Sequence, residues 1–129
     1  MTEEADSQLV AVIADFLEMG HVENILAMFK QDPGLYSLVG HVLRDERYMV
    51  RLGVAVLFEE LKAARPAEIA LAVPSLLPLL AEQIPWLRGE AVNILGIINT
   101  SEARDLVRTM AHDPEAQIRE MAVDILAAP

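Results

Sequence analysis

The stretch Asp45–Leu61, DERYMVRLGVAVLFEEL, decides how the chain is read, because its pattern returns twice. Arg51 follows the apolar Val50 and precedes Val54-Ala55-x-Leu57-Phe58. Arg88 stands between Leu87 and Ala91-Val92-x-Ile94-Leu95, and Arg119 between Ile118 and Ala122-Val123-x-Ile125-Leu126. Six residues before each arginine comes a carboxylate: Asp45, Glu82 and Asp113. The arginines lie 37 and 31 residues apart, a period typical of stacked helical pairs. An acid, a short gap, an arginine and a helical apolar face, three times over, describe a repeat.

Composition narrows the fold. The 129 residues suit one domain. Hydrophobic residues make 53% of the chain and aromatics only 5%, so Leu, Ala, Val and Ile must fill the core. That is an all-helical balance, since strands draw on aromatic and β-branched residues. No alternating run and no Asn-Gly turn signals a strand. Twenty acids oppose ten bases, and a net charge of −10 repels phosphate backbones, which argues against nucleic acid. The lack of cysteine rules out disulfides, thiolate catalysis and cysteine-bound zinc, and fits a reducing compartment. The start, MTEEADSQ, is acidic where a secretion signal is basic. The longest uncharged run, 69–81, is too short to span a membrane and contains Pro74 and Pro78. The expectation is a cytoplasmic protein that avoids both membranes and nucleic acids.

Read in order, residues 1–6 form an acidic tail and Ser7 caps a helix running to Met19, which Gly20 stops. A second helix, 22–30, ends before the turn Asp32-Pro33-Gly34. A third spans 35–44, and Asp45-Glu46-Arg47 turns the chain into a fourth, 48–64. Pro66 opens a fifth helix, kinked at Pro74, and Pro85 starts a sixth, 86–99. Thr100 or Ser101 caps a seventh, 102–111, and Asp113-Pro114 begins the last, which ends at Ala127.

The segments 35–64, 67–99 and 102–127 resemble HEAT repeats, most of all the short bacterial "lyase HEAT-like" kind. The resemblance rests on Asp-x5-Arg with an apolar residue before the arginine and alanine or valine three and four after it. Pro74, eight residues before Glu82, matches a proline that commonly kinks the first helix of such a unit. The pair 7–31 is degenerate: Asp15 and His21 occupy the acid and arginine positions, and Asn24 a small apolar one. The resemblance implies an all-α, right-handed α-solenoid of about four helical pairs, formed by the single domain 1–129, with the second helices on its concave side.

Physics gives the same picture from another direction. One helix pair has too little area to bury its own apolar face and must stack on a neighbour. Arg51, Arg88 and Arg119 then fall at equivalent places and form a ladder with Asp45, Glu82 and Asp113. Each arginine is expected to reach the acid of its own turn and that of the next unit. The alternative is a set of solvated charges worth about 0–1 kcal/mol each.

Little here carries chemistry. His21 and His41 both read Gly-His-Val, but Gly20 keeps Asp15, Glu18 and His21 from sharing a helix face. His112 stands alone. No His-Glu dipeptide, Ser-His-Asp spacing, phosphate-binding glycine loop or CxxC occurs. No catalytic, cofactor-binding or metal-ligating residue is therefore expected.

A surface remains. One and five positions after each arginine, side chains should face away from the stacking core: Leu52 and Val56, Gly89 and Asn93, Glu120 and Asp124. Glu59, Glu60 and Glu90 extend the acidic rim, and Gly89 and Gly96 admit either a neighbouring helix or a ligand. Trp86 is either a binding anchor or a lid on the core. The expected function is a small non-catalytic scaffold that holds a protein or basic peptide on its second-helix face. The alternatives are a chromophore-lyase-like enzyme or accessory subunit, which the resemblance permits, and a plain subunit of a homo-oligomer. A monomer is slightly favoured over a homodimer.

Overall fold

The computed structural model describes residues 3–129, and every regular element among them is helical. Helix α1 (Glu3–Glu18) begins four residues before the expected Ser7 cap. Glu3, Glu4 and Asp6 crowd its first turn, where carboxylates complement the exposed N–H groups. Residues 3–6 of the expected tail are thus helix, and residues 1 and 2 lie outside the described residues. Gly20 ends α1 at φ +84°: its N–H donates to Leu17 O (3.0 Å) and that of His21 to Phe16 O (2.9 Å), closing the helix with its last carbonyls satisfied. Helix α2 (Val22–Gln31) then stops at Asp32, whose carboxylate accepts from Gly34 N.

Beyond that turn the chain winds tightly. The expected third helix is a 3₁₀ segment, Pro33–Leu38, followed by one α-turn, α3 (Val39–Val42). Helix α4 (Tyr48–Ala64) matches its expected span. Pro66 does not open the next helix. The following element starts at Ile69 and alternates between 3₁₀ (Ile69–Ala72), α5 (Val73–Leu76) and 3₁₀ (Leu77–Ala81). Pro74 and Pro78 remove two N–H donors and crowd the preceding carbonyls, so a continuous α-helix is not possible there. Helix α6 (Pro85–Ile98) closes on Asn99, a left-handed residue at φ 54°. Thr100 caps α7 (Ser101–Thr109) by accepting from Ala103 N at 3.2 Å, and α8 (Ala116–Ala127) ends the described chain. Arg104 of α7 donates to the carbonyls of Leu126 and Ala128 at the end of α8 and to Asn99 Oδ1, tying both helix ends together.

The even-numbered helices touch in chain order: α2 packs on α4, α4 on α6, and α6 on α8. In a second row, α1 packs on α3 and α3 on α5. Contact within each row is close where side chains are missing. Gly40 of α3 donates its N–H to Ser75 Oγ (3.2 Å), and a Cβ there would fall onto the Ser75 carbonyl. A Cβ on Gly96 would stand 2.7 Å from Ile125 Cδ1, so α6 and α8 approach through that glycine. The core is mainly aliphatic, as composition requires. Within it runs an edge-to-face aromatic row, Phe29–Tyr36–Phe58, with centroids 5.1 and 6.1 Å apart.

Candidate functional site

The three arginines share one geometry. Nη1 of Arg51 donates to the carbonyls of Asp45 and Glu46, both at 2.9 Å. Arg88 donates in the same way to Glu82 O (2.8 Å) and Gln83 O (3.1 Å), and Arg119 to Asp113 O (2.7 Å) and Pro114 O (2.9 Å). Each arginine therefore clasps the backbone of the turn that leads into its own helix. These carbonyls lie where the helix ladder does not reach, and a guanidinium with five donors can bridge two of them.

The far edge of the fork reaches the following helix. Arg51 Nε donates to Glu90 Oε2 at 2.7 Å, and Arg88 holds both oxygens of Asp113 at 2.8 and 3.0 Å. The expectation that each arginine pairs with the carboxylate of its own turn is corrected here. Asp45 instead accepts from Arg47 N, Nε and Nη2, while Glu82 pairs with Arg44 at 2.7 Å. A carboxylate two residues before a backbone N–H folds back onto it, as Asp45 does with Arg47 and Asp113 with Glu115. That geometry turns the acid away from an arginine six residues on. Hydrogen bonds from Arg47 hold the Asp45 carboxyl below the usual carboxylate range, against the opposing effect of burial. Arg88 does the same to Asp113.

The expected surface residues divide into two groups. Leu52, Val56, Glu60, Glu120 and Asp124 are exposed, and Asn93 is half-buried. Gly89 is buried against Ile118 and Met121 of α8, so it admits a helix and does not face away from the core. Glu90 is also corrected: its carboxylate is bound inside the fold by Arg51 and is no free rim acid. Trp86 lies over the Arg51 guanidinium, 4.2 Å from ring centroid to Cζ, and remains 38% exposed. It covers an ion pair and leaves the aliphatic core to other residues.

Sequence reasoning missed the neighbours that make this a patch. Tyr48 places its ring 5.5 Å from the same Arg51 Cζ. Tyr48, Leu52 and Val56 succeed one another at four-residue steps along α4, so they form one exposed stripe, with Met49 beside it. The signal was available: a tyrosine three residues before Arg51 and an apolar residue at each following turn.

Next to this stripe, between α2 and α4, an open groove of about 650 Å³ is lined by Val22, Glu23, Leu26, His21, Val56 and Glu60. Glu23 and Glu60 form no ion pair among the described residues, in contrast to Glu82 and Glu90. Asp15 and Glu18, which Gly20 was expected to keep from sharing a helix face with His21, both bind Arg47. No cluster of three or more metal-ligating side chains occurs among the described residues, and no helix there is long and apolar enough to cross a membrane. No protein-family model, curated protein or solved structure matches the chain.

Proposed function

We propose that the chain is a non-catalytic interaction module, a right-handed α-solenoid of HEAT-like helical pairs, that holds a basic peptide segment of a partner protein along α2, α4 and α6. The observation that carries this reading is the exposed α4 stripe Tyr48, Leu52 and Val56 beside the exposed Trp86, with the Tyr48 and Trp86 rings on a guanidinium already fixed by three hydrogen bonds. Trp, Tyr and Arg dominate binding hot spots because they bury large area at little entropic cost. Arg51 is immobilised before any partner arrives, so ordering it adds nothing to the cost of association. The neighbouring acids give the preference for a basic partner. Glu23 and Glu60 make no ion pair among the described residues, and two such carboxylates beside an apolar stripe suit a lysine or arginine next to an apolar residue.

The test begins with capture from native lysate and continues with the recovered partner in purified form. Trp86→Ala and Leu52→Asp should each weaken binding at least tenfold, and Glu102→Lys on α7 should leave it unchanged. Equal binding by all three variants would refute the reading. A shifted Soret band on mixing with a tetrapyrrole would move the assignment to the chromophore-lyase alternative.

A further inference from the structure

The outer flank of α8 repeats a pattern that the rest of the molecule covers. Arg119 clasps Asp113 O and Pro114 O through Nη1, as Arg51 and Arg88 clasp their own turns. In both other arginines the Nε edge of the fork is taken by a carboxylate from the next helix, Glu90 or Asp113. Arg119 makes no ion pair among the described residues, and its only hydrogen bonds there are the two from Nη1. The apolar position four residues later follows the same logic. Val92, four after Arg88, is 0% exposed, whereas Val123, four after Arg119, is 56% exposed. Arg119 and Val123 share an open groove of about 360 Å³ with Ala111, Glu120 and Asp124.

We propose that this flank docks a helix of a partner protein, one that carries an aspartate or glutamate in its first two turns or in the turn just before them, and apolar residues on the same face. The two internal precedents define the chemistry. Arg51 receives Glu90 from the second turn of α6, and Arg88 receives Asp113 from the turn just before α8. A carboxylate delivered to Arg119 completes a planar, charge-assisted pair, and the following apolar residues cover Val123. The groove's own Glu120 and Asp124 repel an acid placed anywhere but on the guanidinium, so the contact has a defined register. A second copy of this chain is a poorer occupant, because two molecules of net charge −10 repel at close range. This surface lies on the α7–α8 side of the molecule and is independent of the α4 stripe.

The experiment titrates the isotope-labelled chain with a helix-stabilised peptide of the sequence Asp113–Ala127, the segment whose acid Arg88 grips. Amide and side-chain shifts are expected at Arg119, Val123 and Ala111, with the Nε–H of Arg119 moving most. The same peptide with Asn in place of its leading Asp should bind roughly tenfold more weakly, the size of a lost charged hydrogen bond. Val123→Asp, at an exposed position, should abolish the shifts while leaving the helical circular dichroism intact. The proposal is overturned if millimolar peptide moves none of these residues, if the Asp and Asn peptides bind alike, or if the shifts fall on the α4 stripe. It is equally overturned if sedimentation shows a mass that grows with protein concentration and that Val123→Asp returns to 14.2 kDa, since the flank would then belong to a second copy.

Discussion

The Arg88 guanidinium holds both oxygens of the Asp113 carboxylate, at 2.8 and 3.0 Å, and the two residues are only 8% and 7% exposed. The pair joins α6 to the turn that starts α8, while Arg88 also clasps the turn that starts α6. One side chain therefore fixes two inter-helix connections. Removing it strands a buried carboxylate, so Arg88→Ala should destabilise by about 3–5 kcal/mol, the usual cost of breaking a buried pair. Arg119 makes the same backbone clasp at an exposed position, and Arg119→Ala should cost only about 1 kcal/mol. Urea melts of the two variants measure the difference, and equal losses would disprove the role given to Asp113.

That pair also sets the acid limit of the fold. The carboxyls of Asp113 and Asp45 both titrate below their ordinary value, chiefly because Arg88 and Arg47 donate to them. A depressed folded value means that the stabilisation is complete above the unfolded value of about 3.9 and disappears as pH falls below it. Wild-type stability should hold down to about pH 4–5 and then fall steeply. Asp113→Asn should be weaker at neutral pH, and its further loss between about pH 4 and pH 2 should be shallower. Urea midpoints across that range measure both slopes.

The glycines make opposite predictions although they look alike in sequence. A Cβ at Gly89 would meet Ile118 and Met121 at 3.9 and 4.0 Å, ordinary contact distances. Gly89→Ala should therefore recover helix propensity, up to about 1 kcal/mol of stability. At Gly40 the obstacle is the Ser75 backbone, which cannot rotate away. Gly40→Ala should cost about 3 kcal/mol or more, as overpacking against a fixed neighbour does. Thermal melts of the two alanine variants should move in opposite directions.

How far the sequence revealed these contacts depended on the range of each one. Helices α4, α6 and α8 were legible because each presents an apolar face of three turns or more behind its arginine. The tight winding around Pro74 and Pro78 was only half legible: proline announces a break, but the 3₁₀ turn before Pro74 packs on the first 3₁₀ segment and the one at Pro78 on α6, contacts that no local spacing shows. The arginine positions were readable as equivalent, and Arg88 does reach Asp113, the acid of the next unit, but the own-turn pairings and the partner of Arg51 were misassigned. Asp45 has a nearer donor in Arg47 and Glu82 a neighbour in Arg44, whereas Glu90 meets Arg51 across 39 residues. Spacing shows which residues recur; it does not show which of several nearby cations wins a carboxylate. The Gly40–Ser75 contact left no local trace, because neither residue is unusual in its own stretch.

Tyr36 offers an alkaline counterpart to the acid limit. Burial, together with the nearby Glu68 carboxylate, pushes its phenol up to about 12. For a group that ionises later when folded, the stabilisation is complete below the unfolded value of about 10 and is lost as pH rises toward the folded one. Stability should decline between about pH 10 and pH 12, and Tyr36→Phe should reduce that decline. Its hydroxyl has no hydrogen-bond partner among the described residues, while its ring packs edge-to-face on both Phe29 and Phe58. At neutral pH Tyr36→Phe should thus stay within about 1 kcal/mol of wild type, whereas Tyr36→Ala should cost about 3–5 kcal/mol. A phenylalanine variant as damaged as the alanine one would show that the hydroxyl is essential.

The final prediction concerns charge on the second-helix face. Reversing Glu90 would not test capture of a basic partner, since Glu90 is bound by Arg51 and its loss disturbs the α4–α6 contact. Glu23 and Glu60 are the suitable pair: both are exposed, both line the α2–α4 groove, and neither makes an ion pair among the described residues. A groove walled by one sign of charge raises the local concentration of the opposite sign and speeds its capture. Glu23→Lys with Glu60→Lys should leave stability within about 0.5 kcal/mol, as surface changes usually do. The same double variant should slow association with the recovered partner about tenfold or more at low salt. Dissociation should change less, because rim charges act mainly on the encounter. Raising salt to physiological strength should narrow the gap, since a screening length of about 8 Å weakens steering between exposed charges. Stopped-flow association at two salt concentrations reads all of this, and a rate indifferent to both the reversal and the salt would show that these acids serve solubility alone.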